Sequence, residues 1–486
     1  MMTIEPGKAA AWAFEEFGHA ELGDLRRTRR LVKMATSVME RPAGTVAAVF
    51  DNPADLCGAY DFLENDAVDP VALAKTMAVA TTRRAKPYPF VWVATDGTSV
   101  TVTDRTQSKE TGRLGTTQYK ARGDKIHSAL VIDPEGIPIG LAGFSQWQRG
   151  PKLTKATRKK RPTKEKETQR WLDVRGSVRD VFRDHAGQVV LHFLHDREAD
   201  AWPVILDAFE HCEGERTTIR AQWDRRLLDQ DASEDAATRK LRQALSASEV
   251  LGTMELEVLQ GPHRPARTAT LEIRACPVTL DLRDPQTNQR HAAQVYVVCA
   301  REVSPVPSGQ KPLEWLLLTT YPVQTFEDAC HVVQGYAWRW RIEQFHVAWK
   351  SAGTDIEATQ LEAADHRARW SLILAAVAVA LLRWQWLARL HPETPAEQEF
   401  TAEQLEAIRD LQKDEVVPEH GPVTLWQVIV AIAYLGGWAG SKKRPPGTKI
   451  LARGWAKVTA HMQGMRRRNA RLRRQNSLDG YSIKGS

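Results

Sequence analysis

At 486 residues the chain is long enough for about three domains of ~150 residues each. Hydrophobic residues at 42% and charged residues at 26% are ordinary for a globular protein, which excludes disorder throughout. The net charge is only +7, so charge is uninformative until it is located, but the 16 tryptophans are twice the tyrosine count, and flat aromatic faces are what stacks on nucleobases. The longest apolar run, Trp370 to Leu382, falls short of the roughly 18 residues a membrane span needs and predicts a buried helix. The N-terminus has neither a basic nor an apolar leader-like region, and the five cysteines form no CxxC pair. A cytoplasmic protein without a disulfide framework or zinc site is expected.

The charge is segregated. From Ser441 onward, 13 basic residues face only Asp479, for +12, and the block Arg149 to Arg170 carries +8, which leaves −13 for the rest. Nine carboxylates crowd the stretch His391 to His420. Two basic blocks on an acidic remainder are the footprint of a polyanion binder, although solvated loops show the same pattern.

In chain order, residues 1 to about 70 read as short helices. Asp24 is placed to cap a helix whose first turns carry Arg26, Arg27, Arg29 and Arg30. Arginines there suit phosphate and groove contacts, as well as a plain exposed face. Phe90 to Thr95 is a buried strand that ends at Asp96-Gly97, followed by strands at Ile126–Ile132 and Pro138–Trp147. A helix over about 166–184 leads to a strand at Val189–Leu194, then His195-Asp196-Arg197-Glu198, a helix from Ala199, and a strand at Thr217–Trp223. Residues of about 225 to 310 form a β-rich insertion with turn signals at Gly261-Pro262 and Asp284-Pro285. Trp315 to Thr319 returns to a buried strand, and Thr325 with Asp328 opens a long helix from Phe326 to about Lys350. Buried helices are expected at 366–390 and 423–438.

Two aspartates, Asp96 and Asp196, thus follow hydrophobic strands, where open α/β sheets hold ligands and metals. Turn-forming aspartates occupy the same places. On the long helix, Tyr336, Arg339, Glu343, His346 and Lys350 fall within an arc of roughly 80° at ~100° per residue. Such a stripe is hard to justify as core; an exposed row of ion pairs is the alternative. Three carboxylates suit phosphodiester chemistry, in which two Mg²⁺ ions about 3.5–4 Å apart activate the attacking oxygen and stabilise the leaving one. Asp96, Asp196 and Glu343 would be the hard oxygen ligands. Arg339 and Lys350 would clamp phosphates, and Tyr336 would donate a hydrogen bond to one.

The spacing Tyr336-x-x-Arg339-x-x-x-Glu343, followed by Lys350, is similar to the signature of bacterial DDE transposases of the insertion-sequence-four family. His195-Asp196-Arg197-Glu198-Ala199-Asp200, Trp315-Leu-Leu-Leu-Thr319, Leu22-Gly23-Asp24, and Leu435-Gly436-Gly437 with Ser441-Lys442 agree with it in order. The resemblance implies a mixed α/β fold: a ribonuclease-H-like catalytic core over 71–386 with the β-rich insertion at about 225–310. An N-terminal helical end-DNA-binding domain at 1–70 and a C-terminal helical dimerisation domain at 387–486, ending in the basic tail, would flank it. It implies cut-and-paste transposition through a hairpin intermediate, by a homodimer that binds the double-stranded inverted-repeat ends of an element and joins them to target DNA. The cofactor implied is Mg²⁺, two ions, with Mn²⁺ able to substitute; the ligands are Asp96, Asp196 and Glu343. Tyr336, Arg339 and Lys350 become phosphate or flipped-base contacts, Trp315 a base-stacking residue with Arg220 beside it, and Arg26, Arg27 and Arg30 end contacts. Gly97 departs from the larger residue expected there and would loosen the turn. The Arg466 to Arg474 cluster is more basic than in relatives.

Overall fold

The computed structural model describes residues 8–482, apart from 105, 107, 116–120, 152–153, 155–156, 158–160, 229–239, 259–264, 413–414 and 441–444; the side chains of 352 and 470–482 also lie outside it. The Gly261-Pro262 turn, Ser441-Lys442 and much of the 149–170 basic block therefore fall outside the described residues. The chain divides into two compact units. One comprises Met77–Thr101 and Thr111–Gln344; the other comprises Met1–Thr76, Val102–Glu110 and Phe345–Ser486.

The first unit is the mixed α/β fold expected, built on one ten-stranded sheet. Its strands are β1 (Phe90–Thr101), β2 (Gly112–Arg113), β3 (Arg122–Ile132), β4 (Pro138–Trp147), β5 (Val190–His195), β6 (Glu215–Arg220), β7 (Val250–Val258), β8 (Arg267–Arg283), β9 (Arg290–Glu302) and β10 (Glu314–Thr319). β1, β3 and β4 pair antiparallel, with β2 against the start of β3, and β5 and β6 then continue in parallel from β1. This mixed core, three antiparallel strands followed by two parallel crossovers, is the ribonuclease-H-like arrangement. The β-rich insertion extends the same sheet from β6 through β10, β9, β8 and β7, all antiparallel.

β1 is apolar on both faces because both are covered. Val91 and Val93 pack with Val174, Val178 and Phe182 of the helix Thr168–Ala186. On the other face Trp92 meets the helix Phe326–Trp338 at Gly335, where a Cβ would lie 2.2 Å from the indole. Only glycine permits that approach. Thr325 and Asp328 form the capping box expected at the start of this helix.

Two expectations need correction. β1 does not stop at Asp96-Gly97: residues 96–101 remain paired with β3, Asp96 opposite Ser128 and Thr101 opposite Gly123. Gly97 consequently loosens no turn, and a Cβ there would meet nothing nearer than 3.7 Å. The helix from Phe326 is not continuous to Lys350 either. It breaks at Arg339, whose amide bonds both Gly335 O and Tyr336 O at 3.2 Å, resumes as Trp340–Val347, and ends in a π turn at Ala348–Ala352.

The second unit is helical. Asp24 caps Leu25–Glu40 as expected, accepting from the Arg26 amide at 2.8 Å. The helix Ala364–Leu390 is long and apolar enough to cross a membrane by length and composition, yet its apolar window is 89% buried within the protein. Arg369, itself buried, donates to Leu63 O and Val68 O at 2.6 Å each. Trp370 donates to Gly44 O at 2.7 Å, and Trp455 of Thr448–Ser482 to Met39 O at 2.8 Å. Indole N–H groups that find backbone carbonyls inside a core account for part of the tryptophan excess without nucleic acid. Arg466 is bound in a two-pronged ion pair to Glu403 at 2.7 Å, so part of the basic tail answers the acidic stretch of its own unit.

Candidate active site

Sheet register places the first two carboxylates. β1 and β5 run parallel with Ala94 opposite Leu194, so two residues on, Asp96 and Asp196 stand beside each other just past the end of β5. Side chains alternate along a strand. Thr95 therefore faces the helix Thr168–Ala186, and Asp96 shares the face of Trp92, over which the helix Phe326–Trp338 lies. Asp196 caps the short turn Arg197–Ala199 by accepting from the Glu198 amide at 2.8 Å.

The third carboxylate, Glu343, lies one turn beyond Arg339 and acts on Asp96 electrostatically. Arg339 Nη2 donates to Glu343 Oε1 at 2.5 Å, while its Nη1 is buried and has no hydrogen-bond partner among the described residues. Burial above all raises the Asp96 carboxyl to about 7; Arg339 opposes this, and Asp196 and Glu343 add to it by repulsion. Three negative groups thus share one field around a single guanidinium. Tyr336 is buried, which raises its phenol, with Arg339, Arg220 and Asp196 all acting on it. The Trp315 ring stands edge-on to Tyr336, 5.1 Å between centroids, and Arg220 donates to Glu314 O at 3.2 Å. Seven of the expected site residues, Asp96, Asp196, Glu343, Tyr336, Arg339, Trp315 and Arg220, therefore lie in one neighbourhood of one unit.

The others belong to the helical unit. Lys350 sits on the π turn and pairs with Glu357 at 3.7 Å. Arg26 is exposed and pairs with Asp24 at 2.9 Å, Arg27 donates to Leu22 O at 2.7 Å, and Arg30 approaches Asp55 at 3.7 Å. Tyr336, Arg339 and Glu343 act on one another as the stripe implied, while Lys350 lies in the π turn, where regular helical spacing no longer applies.

The donor set fits a divalent metal in chemistry: hard oxygen ligands, with a proton retained on Asp96 by burial and by neighbouring negative charge that a cation would neutralise. Among the described residues, however, no three His, Cys, Asp or Glu side chains converge closely enough to hold an ion as they stand. Arg339 engages one oxygen of Glu343, Oε1, which leaves Oε2 as the oxygen that could serve as a ligand.

Beneath the two aspartates runs a buried chain that the sequence reading missed. Thr95 Oγ1 bonds His195 Nδ1, and Arg175 Nη1 donates to His195 Nε2 at 2.8 Å and to Thr217 Oγ1 at 3.0 Å. Arg175, fully buried, also reaches Asp207 at 2.8 Å and Glu215 at 2.5 Å. With Nε2 accepting, the His195 proton is on Nδ1 and the ring is neutral, which agrees with burial and Arg175 driving its pKa well below 6.5. Since Thr95 and His195 each precede a catalytic candidate, this chain braces the middle of β1 against the end of β5. The signal available was an arginine on the apolar face of an amphipathic helix, between Trp171 and Val178.

Three imidazoles of this sheet are neutral: burial holds His127 at about 3 and His192, like His195, well below 6.5. Unfolding lets each take up a proton below 6.5, so their contribution to stability is complete above that pH and is lost as pH falls. Asp96, raised to about 7, binds its proton in the folded state and offsets one of the three. Without added divalent cation, the unfolding free energy should fall as pH drops below 6.5, each ring contributing at most about 1.4 kcal/mol per pH unit and Asp96 opposing them. Denaturant midpoints at pH 7.5 and 5.5 check this; equal midpoints would mean that the rings are not buried neutral.

Residues 9–68 match the family described as Transposase DNA-binding, a span that includes Arg26, Arg27 and Arg30. Among solved structures, the chain is similar to the cryo-EM structure of the piggyBac transposase synaptic complex with hairpin DNA. The identity is 8%, the match covers 96% of this chain and 74% of that one, and the TM-score is 0.34.

Proposed function

We propose that the chain is a cut-and-paste DNA transposase of the DDE type, of the insertion-sequence-four family, its helix signature similar to that of the transposon-five transposase. The observation that carries this reading is the in-register placement of Asp96 beside Asp196, with Glu343 acting on the same carboxyl. The match of residues 9–68 supports binding of element ends by the N-terminal helices, with Arg26, Arg27 and Arg30 on phosphates and groove edges.

Asp96, Asp196 and Glu343 would hold two Mg²⁺ ions, with Mn²⁺ able to substitute. When bound, such ions supply an attacking oxygen at neutral pH and charge for the leaving one. The chain's own residues do the rest. Burial of Asp96 would exclude water from one side of the site, Arg339 would offer its Nη1 to a phosphate oxygen, and Tyr336 and Arg220 would orient the strand; Lys350 would contact a phosphate, as its motif position implies. Trp315 would stack a base flipped out as the DNA bends into a hairpin. The active species would be a homodimer, working in the bacterial cytoplasm.

The test is to incubate the protein with Mg²⁺ and linear DNA bearing the ends of its element. Hairpin-ended fragments and strand-transfer products are expected. Binding without cleavage would leave an end-binding protein, and cleavage without joining a nuclease; either result overturns the reading.

A further inference from the structure

At the far end of β4 a cleft of about 770 Å³ opens between β2, β4 and the start of the helix Thr168–Ala186. Six cations line it: Arg113, Arg149, Arg161, Lys164, Lys166 and Arg170. Three of them answer the cleft's three carboxylates, Arg149 with Glu167, Arg161 with Glu165 at 3.3 Å, and Arg170 with Asp173 at 3.6 Å. The formal excess is three positive charges, on Arg113, Lys164 and Lys166. Trp147 forms part of the wall, with the Arg170 guanidinium 5.1 Å from its ring centre.

The wall is built for close approach. A Cβ at Gly112 would lie 2.6 Å from the Arg149 amide nitrogen, and Gly115 has a φ of +102°, in the region glycine favours. Glycines at both positions let the edge strand press against Arg149. Arg149 also lies within electrostatic reach of Glu198, in the turn capped by Asp196.

We propose that this cleft holds an unpaired stretch of DNA strand, one base stacked on Trp147 and adjoining phosphates on Arg113, Lys164 and Lys166. Stacking on an aromatic ring requires a free base face, which a duplex interior does not offer, and a cationic groove with an aromatic platform is how single strands are held without sequence preference. The inference rests on the transposase reading, since it says where a strand leaving the carboxylates is kept.

The experiment uses the full chain and a short single-stranded oligonucleotide carrying 5-iododeoxyuridine, irradiated and mapped by peptide mass spectrometry. The adduct is expected on Trp147. Lys164→Ala with Lys166→Ala should weaken binding of that strand about tenfold and flatten its log–log salt slope by about 1.4, at ~0.7 per phosphate. An adduct confined to other tryptophans such as Trp223 or Trp315, no adduct, or an unchanged slope overturns the proposal. Cleavage of element ends without a Trp147 adduct sinks the cleft alone; a Trp147 adduct without cleavage sinks the transposase reading and leaves the cleft standing.

Discussion

Glu343→Gln is expected to lower cleavage of element ends by at least about 10³-fold, roughly 4 kcal/mol of barrier, while end binding stays within twofold of the parent. The substitution changes little sterically. A glutamine oxygen can still accept from Arg339 Nη2, so the break at Arg339 and the packing of Gly335 on Trp92 have no reason to shift. What disappears is one negative charge from the field shared with Asp96 and Asp196, and with it one of the three proposed metal ligands. Loss of that repulsion should also bring the Asp96 carboxyl down from about 7. End binding is assigned to the helices within residues 9–68, far along the chain from Glu343. Gel-shift and cleavage assays on the same DNA read the two effects separately. A variant cleaving within tenfold of the parent would show that Glu343 is not a ligand.

Arg175→Met should destabilise the protein by about 3 kcal/mol, near the low end of the 3–5 kcal/mol typical when one partner of a buried ion pair is removed. Glu215 and Asp207 keep Arg179, at 2.9 and 3.1 Å, which limits the loss. His195, though, loses the donor to its Nε2, and Thr95 loses a ring held in one tautomer. The Asp96–Asp196 spacing depends on that brace. Cleavage should therefore fall at temperatures where the variant is still folded and still binds ends. Lysine at 175 keeps the charge but cannot span Asp207, Glu215, His195 and Thr217, and should be intermediate in both respects. Denaturant unfolding beside a cleavage assay checks this, and a loss below 1 kcal/mol with normal cleavage would count against the brace.

Much of this was legible in the chain. The strands at Pro138–Trp147, Val190–His195 and Glu314–Thr319 follow from apolar runs bounded by turn residues, and the caps Asp24 and Thr325 from side chains that bond their own helix amides. Of the seven gathered site residues, Asp96, Asp196, Glu343, Tyr336 and Arg339 were named from residue type and spacing, and Trp315 and Arg220 only through the family resemblance. The end of β1 was not legible. The polar run Thr95 to Thr101 lacks the apolar signal of a strand, and it stays extended only because β3 supplies its hydrogen bonds. Nor was the helix break at Arg339, since periodicity assumes a straight axis and a buried guanidinium between carboxylates is a tertiary circumstance.

The sequence by itself determined the chemistry available: three carboxylates, a tyrosine, two arginines and a lysine in a recognisable order, and basic blocks set on an acidic remainder. It determined most elements as well, because hydrogen-bond caps and apolar periodicity act over a few residues. Only the tertiary structure decided which of those groups meet. Asp96 and Asp196, 100 positions apart, become neighbours through a parallel register. Arg175 becomes the brace beneath them, and Arg466 turns from a free cation into the partner of Glu403. Burial and pairing depend on what the rest of the chain places around a side chain, and no local pattern carries that information.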